Sequence, residues 1–374
     1  MRISPTLFLV VILTLTAGVA QNGNAQSVDF ESDQWTIEAA SHQIVDYDGQ
    51  PSLYLKGGEA VLNDVSFMNG TIEFDMAFSA KRGFSGVHWR RIDENNTEEF
   101  YFRPHQSGNP DANQYTPRNN GLASWQLYHG PQYAVPIRYR FNEWMHVKIA
   151  FSGDRGELYV DSDEPVLAFD LKRDPQAGVI AVWASGLAPA YFANFTYEEN
   201  DNVRLVGTPE PQPEAAAGSV EEWSVSDPFG EDVLADMVEL SKQVKDARTW
   251  QSHWSESSGV TNLADITAIG EGANTVFARL VIDADRDVVK TVRFGYSDRV
   301  RVYHNDRLIY SGDNGFRTRD YRSLGTIGLF DAVHLELERG RNEVWFAVSE
   351  SFGGWGVMAA IEDMDGISVA SNTQ

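Results

Sequence analysis

Three segments in the first half of the chain, centred on Trp89, Phe100 and Leu127, carry polar and aromatic side chains at alternate positions. Residues two apart point to the same side of a strand, so each segment predicts one apolar face and one polar face. On neighbouring strands, the polar faces would combine guanidinium, phenol, imidazole, amide and carboxylate groups. That mixture suits a sugar, whose hydroxyls need fixed donors and acceptors and whose C–H faces need an aromatic platform. The predicted ligand-binding residues are His88, Arg90, Glu99, Tyr101, Arg103, Gln126 and Tyr128.

A purely structural explanation of this pattern is also open. Most half-buried antiparallel sheets leave one polar face in water. Arg90 and Glu99 would then form a cross-strand ion pair, which contributes little in solvent. The long polar segment 105–115 favours the binding interpretation, because such a loop can form the rim of a concave face.

Strand signals occur on both sides of a proline-rich segment, and no helical pattern separates them on the N-terminal side. Closely spaced alternating runs of this kind predict antiparallel sandwiches. Asn305 and Asp306 tolerate positive φ and predict a hairpin turn between two of the strands. The predicted strands are 71–78, 86–91, 99–103, 144–151, 157–161, 276–282, 291–294, 299–303, 307–310, 333–337 and 343–348.

The segment 207–219 contains three prolines among small residues and predicts an extended linker. A chain of 374 residues also exceeds the size at which one hydrophobic core stops growing. Apolar residues at steps of three or four predict one helix over 231–249. We therefore expect a mainly β protein of two antiparallel β-sandwich (jelly-roll) domains, 28–200 and 220–374, joined by a linker over 201–219, with one helix at the start of the second domain.

The N-terminus has the pattern of a secretory signal peptide. Arg2 precedes the apolar run 7–15, and small residues end at Ala20 or Ala25. The apolar run is too short to span a bilayer. We therefore predict a signal peptide over 1–25 and an exported protein, periplasmic or extracellular, without a membrane span.

Composition excludes several classes of chemistry. Lys and Arg number 30 against 54 Asp and Glu, so the formal net charge is −24. This charge repels phosphate backbones and argues against a nucleic-acid partner. The absence of cysteine excludes disulfides, thiolate metal sites and a cysteine nucleophile. Function must therefore depend on oxygen, imidazole and aromatic groups.

Five segments of the first domain, in order, resemble the concanavalin-A-like, laminin-G-like jelly rolls, and are most similar to the branch described as 3-keto-disaccharide hydrolase-like. The second domain resembles the galactose-binding-like jelly roll, an accessory module of glycosidases, through 301–305 and the strands before it. These folds serve lectins, adhesion modules and enzymes, so the resemblance implies a sandwich and no particular catalytic residue. The five segments are 67–75, 84–90, 100–103, 125–128 and 144–161.

An enzyme acting through the same face is the alternative function. Hydrolysis of a glycosidic bond uses two carboxyl groups about 5–10 Å apart. Glu99 is the first candidate carboxyl group, with Asp111 or Glu98 as the second, and His105 or His88 is the candidate general base for elimination from a 3-keto sugar. The alternative is thus a carbohydrate-active hydrolase or lyase acting on 3-keto or ordinary glycosides.

The sequence predicts no certain cofactor. Asp283, Asp285 and Asp287 alternate and could hold Ca²⁺, although the glycine and distal glutamate of a helix–loop–helix calcium site are missing. A basic segment with Arg317, Arg319 and Arg322 could bind an acidic sugar, or its arginines could pair with nearby carboxylates.

Overall fold

The computed structural model describes residues 25–370. Residues 1–24, which hold nearly all of the predicted signal peptide, lie outside this range. We call 25–200 the N-terminal half and 220–370 the C-terminal half.

The N-terminal half consists almost entirely of antiparallel strands, and one short 3₁₀ helix interrupts them at Pro104–Gln106. The strands are β1 (Gln26–Ser27), β2 (Trp35–Tyr47), β3 (Gln50–Phe67), β4 (Gly70–Phe78), β5 (Ser85–Asp93), β6 (Asn96–Phe102), β7 (Asn113–Asn119), β8 (Leu122–Ala123), β9 (Met145–Ser152), β10 (Arg155–Val160), β11 (Leu167–Asp170), β12 (Gly178–Ala184) and β13 (Ala190–Glu199).

Eleven of these strands follow the order β11-β10-β9-β4-β13-β3-β12-β5-β6-β7-β8, with β1 paired to β13 and β2 paired to β3, and β3 joins two layers. One end of β3, at residues 53–55, pairs with β13, whereas residues 58–67 pair with β12. The side chains between the layers form one core, to which β4 contributes Phe74, β9 contributes Val147 and β6 contributes Phe100. This arrangement is the expected β-sandwich.

The C-terminal half begins with a short strand and contains the only α-helix among the described residues, α1 (Lys242–Asp246). Its strands are β14 (Glu222–Ser226), β15 (Trp250–Trp254), β16 (Thr261–Asn262), β17 (Thr275–Ala284), β18 (Val288–Ser297), β19 (Arg299–His304), β20 (Arg307–Asp313), β21 (Asp331–Leu337), β22 (Gly340–Ser349), β23 (Gly356–Ile361) and β24 (Ile367–Val369), with 3₁₀ helices at Glu231–Leu234 and Leu263–Asp265.

Two sheets pack face to face in this half. The first has the order β15-β14-β17-β22-β19-β20, with β24 on β17, and the second has the order β16-β23-β18-β21. Phe346 of the first sheet contacts Phe294 of the second edge-to-face, with ring centroids 5.4 Å apart. The mainly β prediction is therefore confirmed, whereas the galactose-binding-like identity of this half stays a prediction.

The predicted helix over 231–249 is wrong. Only Glu231–Leu234 and α1 are helical, and the chain between them runs extended along the β19–β20 hairpin, where Leu240 N donates to the Asp306 carbonyl at 2.7 Å. The apolar period misled because its members do not form one buried stripe: Val233 is 45% exposed and Ala247 is exposed, whereas Leu240 is buried. The hairpin turn predicted at Asn305 and Asp306 is present, with φ of 45° and 70°.

Polar contacts connect the two halves. The turn after β8 approaches the C-terminal half, where the Tyr128 hydroxyl donates to Glu256 and the Gln126 amide donates to the Leu324 carbonyl. Lys172 Nζ lies 2.6 Å from the other carboxylate oxygen of Glu256. Within residues 25–370, no helix combines the length and apolar character needed to cross a membrane.

Candidate functional site

Five adjacent strands, β3, β12, β5, β6 and β7, build a face on the outside of one layer. Strand register places Glu59, Trp183 and Gly86 in one row, which continues through Tyr101 to Gln114. A second row runs from His88 to Glu99. We call this surface the polar-aromatic face; its side chains are Glu59, Phe84, His88, Arg91, Glu99, Tyr101, Arg103, Gln114, Arg118 and Trp183.

A line of alternating charges crosses the polar-aromatic face. His88 Nδ1 lies 3.4 Å from Glu59 Oε2, and His88 Nε2 lies 3.6 Å from Glu99 Oε2. Arg91 donates to Glu59 at 2.5 Å, and Arg118 donates to Glu99 at 3.1 Å. The histidine contacts exceed ordinary hydrogen-bond lengths, so we treat them as ion-pair contacts.

This line favours the charged forms of its members. Burial raises the pKa of Glu59 and of Glu99, but the contacts with His88 and the arginines outweigh burial and leave both carboxyl pKa values below the ordinary one. Burial lowers the pKa of His88, but the two carboxylates outweigh it and hold that pKa above its ordinary value. The face therefore carries charged groups in fixed positions.

An aromatic surface lies beside the charges. Gly86 carries no side chain, so the rings of Trp183 and Tyr101 meet across it with centroids 6.2 Å apart. Trp183 also stacks on His88, at 5.7 Å and 19°. The Tyr101 side chain is buried, whereas Trp183 and Phe84 are partly exposed. Trp183 and Phe84 are therefore the rings available to a ligand.

Arg103 and Gln114 connect the buried side chains of the face through hydrogen bonds. Arg103 donates to the Tyr101 hydroxyl and to Gln114 Oε1, both at 2.5 Å, and its guanidinium lies 4.7 Å from the Tyr101 ring centroid. Gln114 in turn donates to the carbonyl of Trp125 at 2.8 Å. Arg103 is buried, so it positions neighbouring groups more than it contacts solvent.

Four predicted ligand-binding residues, His88, Glu99, Tyr101 and Arg103, thus lie together, but Arg90 does not join them. The β5–β6 pairing shifts register after Trp89, and Arg90 adopts a φ of 47°. Its guanidinium donates to the carbonyls of Met68 and Gly153, each at 2.7 Å. The expected alternation fails at Arg90 because a β-bulge interrupts it.

Gln126 and Tyr128 also lie away from the face. The strand expected around them is a turn, and both side chains contact the C-terminal half. The strand that lies beside β6 on the face is β7, whose first residues fall within the segment 105–115 that we expected to be a loop. The strand predicted around Gln126 therefore lies about a dozen residues earlier in the chain, as β7.

Three of the candidate catalytic residues lie in different environments. Glu99 is buried and paired with Arg118. Asp111 lies in the loop before β7, and its carbonyl accepts a hydrogen bond from Arg103 at 3.0 Å. His105 is partly exposed and packs edge-to-face on Phe84 at 5.4 Å, and burial lowers its pKa.

The candidate calcium ligands do not form a cluster. Asp285 pairs with Arg286, and Asp287 accepts a hydrogen bond from the Arg339 amide at 2.8 Å, whereas Asp283 lies exposed near the end of β17. Among residues 25–370, no group of three or more acidic or histidine side chains is arranged to hold a metal ion.

The sequence predictions missed six members of the face, which are Glu59, Phe84, Arg91, Gln114, Arg118 and Trp183. Glu59 and Trp183 lie on β3 and β12, which were not among the predicted strands. The run 178–184 is apolar at nearly every position, so no alternation marks Trp183. Gln114 and Arg118 do alternate with Tyr115 and Pro117, and that signal could have located β7.

No family model and no curated protein matches the chain. Among solved structures, it is similar to the carbohydrate-binding module CBM66 from Bacillus subtilis, with 19% identity, 44% of this chain and 96% of that chain covered, and a TM-score of 0.36. It is also similar to a Bacillus licheniformis beta-glucanase, with 11% identity, 48% and 100% covered, and a TM-score of 0.36. A Bacillus subtilis protein of unknown function with a galectin-like fold matches with 11% identity, 46% and 94% covered, and a TM-score of 0.36. The chain's own residues must therefore support any functional conclusion.

Proposed function

We propose that the chain binds glycans at the polar-aromatic face. The observation that carries the proposal is the partly exposed Trp183 ring beside a line of fixed charges on adjacent strands. A sugar ring can stack its C–H face on the indole while its hydroxyls bond to the charged groups. Glu59 and Arg118 are partly exposed, with 25% and 28% of their side-chain surface accessible, and can make those bonds.

The buried members of the face act as supports. His88, Glu99 and Tyr101 each have less than a tenth of their surface exposed. They hold Trp183 and Arg118 through contacts already formed in the free protein, so little ordering is needed when a sugar binds. We infer that Trp183, Glu59 and Arg118 contact the sugar and that the buried residues position them.

The proposal includes export of the protein from the cytoplasm. The N-terminal pattern of residues 1–25 supports a periplasmic or extracellular protein, where soluble glycans or glycan fragments are available. Cell fractionation of the full chain tests this part: retention in the cytoplasm contradicts it.

Glycan-array screening followed by calorimetry tests the binding site. Trp183→Ala should lower the affinity for any saccharide found on the array by about ten-fold or more, because it removes the stacking surface. Trp254→Ala is the matched control, since Trp254 is an exposed tryptophan of the C-terminal half, away from the face. If no saccharide binds the wild-type protein, or if both variants bind like it, the proposal is wrong.

A carbohydrate-active hydrolase or lyase is the second candidate, because Glu59 and Glu99 place two carboxylates on opposite sides of His88. Glycoside hydrolysis, however, needs one carboxyl group that is protonated at working pH. Both of these carboxyl pKa values lie below the ordinary one, so this pair lacks the acid. The lowered pKa values of Glu59 and Glu99 therefore disfavour glycoside hydrolysis by this pair.

Turnover assays with 4-nitrophenyl glycosides and 3-keto glycosides separate the two functions. The binding proposal predicts no product release by wild-type protein. Release that is lost in Glu99→Gln, with saccharide binding retained, would establish the enzyme.

A further inference from the structure

An exposed group of aromatic rings lies where the two halves meet. The Trp125 ring contacts Phe352 with centroids 5.7 Å apart and Phe316 with centroids 6.3 Å apart. Trp125 belongs to the turn after β8, whereas the two phenylalanines lie on loops of the C-terminal half. Phe352 is 61% exposed and Phe316 is 36% exposed. We call these three residues the aromatic wall.

Hydrogen bonds fix both loops against the turn. The backbone N–H of Gln126 donates to the Gly353 carbonyl at 2.8 Å, and the backbone N–H of Ile327 donates to the backbone carbonyl of Gln126 at 3.0 Å. The Gln126 side chain donates to the Leu324 carbonyl at 2.8 Å. The exposed rings are thus held in place by buried polar contacts, as a preformed binding surface requires.

The aromatic wall continues the polar-aromatic face. Gln114 donates to the Trp125 carbonyl and accepts from the Tyr101 hydroxyl at 3.2 Å, and Tyr101 contacts Trp183. Only β5 and β6 lie between β12, which carries Trp183, and β7, which carries Gln114. Three strand spacings correspond to about 14 Å, more than one sugar ring covers.

A guanidinium group borders the wall. Arg317 lies over the Phe316 ring, 4.8 Å from its centroid. Its neighbours Arg319 and Arg322 pair with Asp331 and Asp320, but no carboxylate of residues 25–370 lies within ion-pair distance of Arg317. The Arg317 N–H groups are therefore free to donate to a ligand that stacks on the rings.

We propose that the aromatic wall is a second subsite, contributed largely by the C-terminal half, for an oligosaccharide that extends from Trp183. The inference rests on the proposed glycan function and adds that recognition depends on chain length. A disaccharide reaches Trp183 and its charged neighbours only. A longer saccharide also stacks on Phe352 and Phe316 and accepts hydrogen bonds from Arg317.

The test measures affinity against saccharide length. Cello-, laminari-, xylo- and fructo-oligosaccharides, from disaccharide to hexasaccharide, are titrated by calorimetry into wild type, Phe352→Ala and Tyr321→Ala. Tyr321 is the matched control, because it is a 75% exposed aromatic residue on the same loop as Phe316 but outside the wall. Phe352→Ala should lower hexasaccharide affinity about ten-fold and change disaccharide affinity by less than about two-fold.

The outcomes are distinguishable. If Phe352→Ala matches Tyr321→Ala at every length while Trp183→Ala still removes binding, the second subsite is wrong and the proposed function stands. If wild type binds no saccharide in any series, both are wrong. If Phe352→Ala instead alters only the oligomeric state in size-exclusion chromatography, the wall is a contact between copies of the chain, which also overturns the inference.

Discussion

His88 Nε2 lies 3.6 Å from Glu99 Oε2, and both side chains are almost completely buried. Burial alone would favour neutral forms of both groups. The structure instead favours the ion pair, because Glu59 contacts the other ring nitrogen and Arg118 contacts Glu99. The pair is therefore one element of a longer line of charges, and its members titrate together.

This pair predicts a pH dependence of stability. The folded-state pKa of His88 lies above its unfolded value of about 6.5, so its stabilising contribution is complete below that value and is lost as pH rises through the folded pKa. Urea unfolding of wild type and His88→Gln from about pH 5 to about pH 9 should show the difference between them shrinking as pH rises. A constant difference would contradict the ion pair. Glu99→Gln should lower the NMR titration midpoint of His88.

Arg90 should matter for folding and not for binding. Its guanidinium bonds two backbone carbonyls from beneath the sheet, so Arg90→Ala leaves the carbonyls of Met68 and Gly153 without these donors. The expected loss is about 2 kcal/mol of unfolding free energy, because Arg90 is buried and a hydrogen bond from a charged donor contributes about 1.5–3 kcal/mol. Saccharide affinity of the folded variant should equal that of wild type. A loss of affinity with unchanged stability would return Arg90 to the binding site.

The sequence predictions included β6, which alternates cleanly, and missed β12, which does not. Phe100 and Phe102 face the core while Glu99 and Tyr101 face outward, so β6 was visible in the sequence. The strand that carries Trp183 could not be recognised in the sequence, because β12 is apolar on both faces.

The positions of Arg90 and Gln126 were unpredictable for different physical reasons. A bulge changes the face of Arg90 without a marker such as glycine or proline at that residue. Gln126 is positioned by Leu324 and Gly353, nearly two hundred residues or more away in the chain, and no local pattern encodes such contacts. Local alternation therefore predicted the residues at the centre of the face. It did not predict the positions of side chains that are set by a bulge or by contacts distant in the sequence.

The buried carboxyl group of Glu350 should make the folded protein less stable as pH rises. The side chain is buried, Oε1 accepts from Gly354 N at 3.2 Å, and Oε2 lacks a partner among residues 25–370. Burial and the nearby Asp298 raise the pKa of Glu350 to about 9. The folded state then keeps a proton that the unfolded state releases, so this group lowers stability as pH rises from about 4.5 to about 9.

Glu350→Gln should remove part of that loss, because glutamine resembles the protonated acid and cannot ionise. The variant should lose less unfolding free energy than wild type between about pH 5 and about pH 8, by up to about 1.4 kcal/mol per pH unit. Guanidinium chloride unfolding at both pH values measures this difference. Parallel losses in the two proteins would show that Glu350 is ionised in the folded state.

Glu256 should couple the two halves of the chain. Its carboxylate accepts from the Tyr128 hydroxyl and pairs with Lys172, whose side chain is only 14% exposed. Glu256→Ala leaves a nearly buried ammonium and a buried hydroxyl without this partner, so we expect a loss of about 2–4 kcal/mol in unfolding free energy. Asp246→Ala is the control, because its pair with Lys242 is highly exposed and should contribute less than about 1 kcal/mol. Tryptophan fluorescence should also separate into two transitions in Glu256→Ala, whereas a single transition with unchanged midpoint would show that other contacts couple the halves.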